Sequence, residues 1–279
     1  MENRSLSKAI GFVVAAIAML IATGPLVGML GAMAGVSNIP AWLYASVFSA
    51  QLLIGSSLAL RLDGESLAIL GLVPASSRIR EFTFGVVVSV VLFCLLALVR
   101  GAAIGAAWTF GGPPAALAAC AGLGVALLLM LPEELFFRGY AFQRLVRAIG
   151  VWPGILVSAT LFGIYHLFGS GMWGIGAFFQ LAMPTLGGIV FGWAALRTNG
   201  LALPIGLHLG GNWVQASIFS FRPVGASEPG ALWTVYVTDA QQHWLYAPDF
   251  SAHAPYIVAM FVLLCVVQLA FPPRAGAVR

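Results

Sequence analysis

Charge is what this 279-residue chain has least of: Asp, Glu, Lys and Arg together make up 8% of it. A soluble domain of this length carries about a quarter charged residues, because its surface must face water. With 61% hydrophobic residues and a mean hydropathy of +0.98, the charge cannot cover a water-exposed globule, so lipid is the solvent for most of the chain. Cysteine is scarce as well. Cys94, Cys120 and Cys265 all lie in apolar stretches without metal-ligand spacing, which argues against a disulfide framework and leaves them as small packing residues. There is no nucleotide-binding loop, no visible internal repeat and no low-complexity tract. The pI of 9.3 is not a nucleic-acid signal, because the basic residues mark the ends of apolar segments instead of clustering on a face.

Apolar runs are what is present. Arg4 and Lys8 followed by an apolar run could open a signal peptide, but no charge appears from Ala9 to Leu60, too long for an h-region of about 7–15 residues. The first helix is expected to be retained. Eight stretches reach the roughly 20 apolar residues of a membrane helix: about 9–35, 41–60, 82–104, 121–143, 152–170, 174–196, 201–221 and 254–272. Turn chemistry divides them at Ser37-Asn38-Ile39-Pro40, Gly111-Gly112-Pro113-Pro114, Gly169-Ser170-Gly171 and Thr198-Asn199-Gly200. With the N-terminus placed in the cytoplasm, only Arg100 and Arg222 of the 13 Lys and Arg fall on the other side. That asymmetry fits the positive-inside rule and supports the count. The expected fold is therefore all-α: a polytopic membrane helix bundle of about eight transmembrane helices, both termini cytoplasmic, forming one membrane domain over 1–279. Glycines four apart (Gly24 and Gly28, Gly31 and Gly35, Gly188 and Gly192, Gly206 and Gly210) are expected to let helices pack closely. The long non-cytoplasmic connection 221–253 carries Trp233, Tyr236, Trp244 and Tyr246, which suit an interfacial belt. Its pairs Asp239 with His243 and Asp249 with His253 have metal-binding spacing, but a solvated loop is the stronger reading.

The informative residues are ionisable groups inside apolar segments, where a central charge costs about 2.5–3.5 kcal/mol on the insertion scale and implies a function or a partner. In the fourth stretch, Glu134 and Arg138 stand four apart on one helical face and are expected to pair. Glu133 points about 100° away, without a local partner, as a general base requires. Pro132 is expected to kink the helix just before the pair. The fifth stretch carries His166, and the seventh carries His208 and Asn212, again four apart. Counting inward, Glu133 lies 11 residues from Arg144, His166 14 from Trp152 and His208 8 from Gly200, or roughly 16, 21 and 12 Å at 1.5 Å per residue. All three fall in one middle band of the bilayer, as a shared site requires. Singly, a membrane histidine is most often interhelical glue and a Glu–Arg pair a structural clasp; together they outweigh that reading.

Glu133-Glu134-x-x-x-Arg138, Phe162-x-x-x-His166 and His208-x-x-x-Asn212 resemble, in order, the three motifs of the CPBP family, which comprises type II CAAX prenyl endopeptidases and bacterial Abi proteins. The resemblance spans about residues 120–215, the expected catalytic core. It implies an eight-helix bundle with a cavity open to the cytosolic side. It implies that Glu133 activates a water with help from His166, that His208 and Asn212 stabilise the oxyanion, and that Glu134 and Arg138 support them. It leaves a metal open: Glu133, His166 and His208 are a known kind of zinc set, yet no H-E-x-x-H is present and Asn212 is a poor zinc ligand, so a metal-free route is slightly favoured. The expected activity is an intramembrane endopeptidase, with the bilayer and a peptide or membrane-protein substrate, prenylated by family precedent, as partners, and no nucleic acid. The expected location is an integral, multi-pass position, in the plasma (inner) membrane if the source is bacterial. Two rivals remain: a non-catalytic scaffold or immunity-type protein of the same fold, and a small transporter using Glu133 and His166 as a proton relay.

Overall fold

The computed structural model describes residues 2–36, 38–170, 174–226, 231–245 and 250–272. Lipid-compatible apolar runs become long helices: α1 (Glu2–Met33), α2 (Ala41–Leu62), α3 (Ser76–Ala103), α4 (Gly112–Arg138), α6 (Val151–Ser170), α7 (Ile175–Thr198) and α10 (Phe250–Ala270). Seven spans among the described residues are long and apolar enough to cross a bilayer, the fourth running on into a short helix α5 (Tyr140–Ile149). The chain is an integral, multi-pass membrane protein with an all-α bundle fold.

The expected eighth span is different in kind. Residues 201–221 form the 12-residue helix α8 (Ala202–Trp213), a π turn over Val214–Ile218 and then a strand. At 1.5 Å per residue α8 is about 18 Å long, short of the ~30 Å hydrocarbon core. Every residue of α8 from Ala202 to Gly211 is buried, so its apolar character faces protein and not lipid. It lies along α3 at backbone contact: a Cβ on Gly206 would sit 2.2 Å from the Phe82 carbonyl oxygen, and one on Gly210 would sit 2.7 Å from that of Val86. These glycines pack helices as expected, and so does Gly188 against Ala159. Gly24, Gly28 and Gly35 meet nothing within 4 Å, so the same spacing has no packing role there.

The fourth helix also breaks elsewhere than expected. It runs unbroken through Pro132 and turns at Gly139 (φ −75°, ψ −138°), where a Cβ would lie 2.1 Å from the Leu135 carbonyl oxygen. The amphipathic α5 follows. The 221–253 connection is not all loop. β2 (Phe219–Pro223) pairs in parallel with β3 (Trp233–Val237), and β3 pairs antiparallel with β1 (Thr109–Phe110), in the order β1-β3-β2. With α9 (Asp239–Leu245) they form a cap whose small core of Val235, Val237 and Leu245 packs on Trp108 and Phe221. Asp239 and His243 lie within α9, while Tyr246 and Asp249 are outside the described residues.

One end of the bundle gathers the bases, and the acids there tie it together. Asp63, just past α2, pairs with Lys8 of α1, accepts from the Tyr140 hydroxyl at 2.9 Å and meets Arg144 of α5 at 2.9 Å. Glu65 pairs with Arg144 and with Arg147 at 2.7 Å. Nearby, Arg78 donates to the Thr198 and Asn199 carbonyls at 2.8 and 3.0 Å, and Arg197 to that of Gln268 at 3.0 Å. Partial burial pushes the Asp63 carboxyl up, but hydrogen bonds from Lys8 and Tyr140 and the Arg144 charge outweigh it and leave it below its ordinary value of 3.8. The Arg144 hydrogen bond, with Arg147 behind it, holds Glu65 below 4.5.

Two outcomes follow from this packing. Gly206→Ala drives a methyl into backbone and should destabilise the bundle by about 1–3 kcal/mol, read as thermal unfolding in detergent. Because both carboxyls are depressed in the folded state, their stabilisation is complete above their unfolded values of 3.8 and 4.5 and fades as pH falls through the lower folded ones. The unfolding temperature should therefore drop on acidification in that range, and Asp63→Asn with Glu65→Gln should flatten the drop.

Candidate active site

Neighbouring carboxylates on α4 have different surroundings. Glu134 is fully buried, and its Oε1 accepts from Arg138 Nη1 at 3.2 Å one turn away, on a side chain equally buried. The guanidinium lies over the Phe162 ring at 4.3 Å and the Phe191 ring at 5.3 Å, a cation–π setting for a charge held away from water. Gly188 leaves it room: a Cβ there would come within 3.2 Å of Arg138 Nη2. His208 Nδ1 approaches the same Glu134 Oε1 at 2.8 Å. A carboxylate paired with a guanidinium can only accept, so the tautomer is assigned with the proton on Nδ1, leaving Nε2 turned into the site. Phe191 stacks on the imidazole at 4.8 Å and 20° and fixes its plane.

His166 is oriented in the same way by its own helix. Its Nδ1 lies 2.8 Å from the Phe162 carbonyl oxygen four residues back, which again assigns the proton to Nδ1 and frees Nε2. The two Nε2 atoms converge on one atom, Glu133 Oε2, at 4.0 Å from His166 and 3.9 Å from His208. That oxygen is buried and has no hydrogen-bond partner. Three lone-pair-bearing atoms facing one another need a proton donor or a cation between them.

A water molecule fits the spacing. Two hydrogen bonds of about 2.8 Å meeting at about 90° span the 4.0 Å observed. Zinc fits in ligand type but not in distance. Bonds of about 2.0–2.1 Å in a tetrahedron put ligand atoms about 3.3 Å apart, whereas these separations approach the span of a linear arrangement. Among the described residues no group of three or more His, Cys, Asp and Glu has metal-holding geometry.

All six residues singled out from the sequence thus lie in or beside one site. Glu133 and Glu134 come from α4, His166 from α6 and His208 from α8, with Arg138 beneath. Asn212, one turn beyond His208, lines with it and His166 a cavity of about 340 Å³ that includes Gln180 and Gln215. Glu133 lines a second, more apolar cavity of about 420 Å³, with Thr23, Tyr44, Phe48 and Tyr165. The site stands between the two. Two site neighbours carry no signal in the sequence: Phe191 sits on α7, which has no ionisable residue before Arg197, and Tyr165 is one aromatic among many; Gly188 has the helix-packing spacing, but nothing in the sequence ties it to Arg138.

Residues 114–214 match the family model described as type II CAAX prenyl endopeptidase Rce1-like. This stretch is Rce1-like. It covers a little over a third of the chain and contains every residue of the site. No curated protein and no solved structure matches the chain. The Rce1-like stretch comprises α4 through α8, so α1–α3, the cap and α10 surround it without belonging to it.

The buried clasp in the Rce1-like stretch has a measurable weight. Glu134→Gln leaves Arg138 as an uncompensated buried charge and should cost about 3–5 kcal/mol in unfolding, whereas adding Arg138→Met should recover much of the loss.

Proposed function

We propose that this protein is an intramembrane endopeptidase that uses a water molecule as nucleophile. The observation that carries the reading is the convergence of two imidazole Nε2 atoms on a buried, unpartnered carboxylate oxygen of Glu133. In this reading water sits between Glu133 Oε2 and His166 Nε2. Glu133 takes its proton as the oxygen attacks the scissile carbonyl, and the proton then passes to the leaving amine. Asn212 offers carboxamide N–H groups to the developing oxyanion from one turn beyond His208. His208 adds a second donor when Nε2 carries a proton, with Glu134 accepting from Nδ1 throughout. Glu134 and Arg138 serve as positioning residues.

A route without metal is part of this proposal, and it is supported by separations that suit a water molecule better than a zinc ion. Peptides, or termini of membrane proteins, are the proposed substrates. Prenylation of the substrate rests on the Rce1-like match alone. The stretch 120–215 acts as the catalytic core of one membrane domain, with the plasma (inner) membrane as its proposed location if the source is bacterial.

Purified protein incubated with a proteome-derived peptide library, with and without chelator, tests this directly. Cleavage should persist with chelator. Glu133→Gln should lower it by roughly 10²–10⁴-fold, the usual contribution of a general base, while the protein still inserts and unfolds as the parent does. Undiminished cleavage by that variant removes Glu133 from the mechanism.

A further inference from the structure

Bases on the far side of a polytopic chain need a reason, because Lys and Arg collect on the cytoplasmic side. Arg100 and Arg222 are the two exceptions among 13. One stands in the last turn of α3 and the other on β2, yet both line a single cavity of about 430 Å³. Ser220 and Gln215 share its wall, and no acidic side chain among the described residues does. The cap sets Arg100: its Nη2 donates to the Leu245 carbonyl at 2.7 Å, and its guanidinium lies 5.8 Å from the centre of the Phe221 ring. Arg222 Nε donates to Ser220 Oγ at 3.2 Å, a bond that uses one of the five N–H donors of that side chain.

Depth gives the cavity a direction. From Arg78 at the basic end, Arg100 is about 33 Å up α3 at 1.5 Å per residue, just past a hydrocarbon core about 30 Å thick. The partly exposed rings of Trp233 and Tyr236 on β3 suit that headgroup level. Below Arg100 the wall turns apolar: Ala97, Leu96 and Phe93 lie about 5, 6 and 11 Å deeper on the same helix, and Val214 and Phe219 complete that part. Arg222 and Pro223 are exposed, so the cavity has its mouth beside β2. Two guanidinium groups at headgroup depth, above an apolar floor at hydrocarbon depth, match an amphiphile with an anionic head.

We infer that this cavity binds a phospholipid of the non-cytoplasmic leaflet, with its phosphate between Arg100 and Arg222 and the start of its acyl chains against Leu96 and Phe93. Phosphate oxygens accept charge-assisted bonds from the planar forks of arginine, and the Ser220 hydroxyl and the second N–H of the Gln215 carboxamide add neutral donors. Phe93, Arg100 and Gln215 also line the cavity that holds His208, so the lipid adjoins the candidate active site. The inference does not rest on the peptidase reading.

Native mass spectrometry tests this on the full chain, released from neutral detergent after titration with phosphatidylglycerol. The parent should retain one phosphatidylglycerol more tightly than any further copy, and should not retain diacylglycerol with the same acyl chains. Arg222→Gln, at an exposed position, should weaken that first binding by about tenfold or more, the usual weight of a bond between charged partners, and Arg222→Lys should restore part of it. Arg80→Gln, exposed on the basic face, should leave it unchanged and so controls for general attraction between bases and anionic lipid. Thermal unfolding of the same variants without lipid should match the parent, and the rise in unfolding temperature that phosphatidylglycerol gives the parent should be lost in Arg222→Gln. Three results overturn the inference. One is first binding in Arg222→Gln as tight as in the parent, or weakened no more than in Arg80→Gln. Another is equal retention of diacylglycerol, which leaves an apolar groove only. The third is an equal rise in unfolding temperature from inorganic phosphate, which makes this a site for a free anion.

Discussion

The carboxylate of Glu134 accepts two bonds on one oxygen, and the geometry of the whole site depends on that sharing. Arg138 neutralises it from one turn below, and His208 reaches it from another helix. Neither charge touches water, so the pair is tolerable only because Phe162, Phe191 and the gap at Gly188 enclose the guanidinium. This clasp sets the distance between α4 and α8. Glu133 is the next residue on α4, so its place beside both imidazoles follows from its neighbour's bonds. A charged clasp that earns little net stability thereby specifies where a reactive carboxylate points.

Local relationships were legible in the sequence, and distant ones were not. The i,i+4 spacing of Glu134 with Arg138 predicts a contact within one helix, and it is present. Apolarity predicts the long helices but does not distinguish lipid from protein as surroundings, so α8 read as a span although it is enclosed. Glycines four apart look identical at Gly24–Gly28 and Gly206–Gly210. Only the second pair has a backbone opposite it, and that partner lies over a hundred residues away. The cap was illegible because β1 is two residues long and pairs with a strand far along the chain. The two acids that tie α1, α2 and α5 together had one signal, carboxylates on the side where bases gather, and its meaning appears only once the helices are placed.

The two halves of the bundle have opposite characters. Towards the basic face, side chains close on one another and ion pairs knot the helix ends. Towards the cap, a cavity adjoins the site, and polar side chains such as Gln180 and Gln215 line it. The proposed hydrolysis needs both properties at once: rigid placement of the base, and a path for water to it. In that reading the two demands are met in different parts of the bundle.

The contact between α8 and α3 carries a consequence for how such a protein can diversify. The stretch that bears the chemistry begins after α3, yet α8 lies in a groove whose floor is the backbone at Phe82 and Val86. Chemical identity and mechanical integrity therefore occupy different lengths of the same polypeptide. Exchange of the reactive portion alone between two such proteins would bring a helix without its seat. Inheritance of the proposed activity thus requires the flanking helices to travel with it, even though nothing in them resembles a signature.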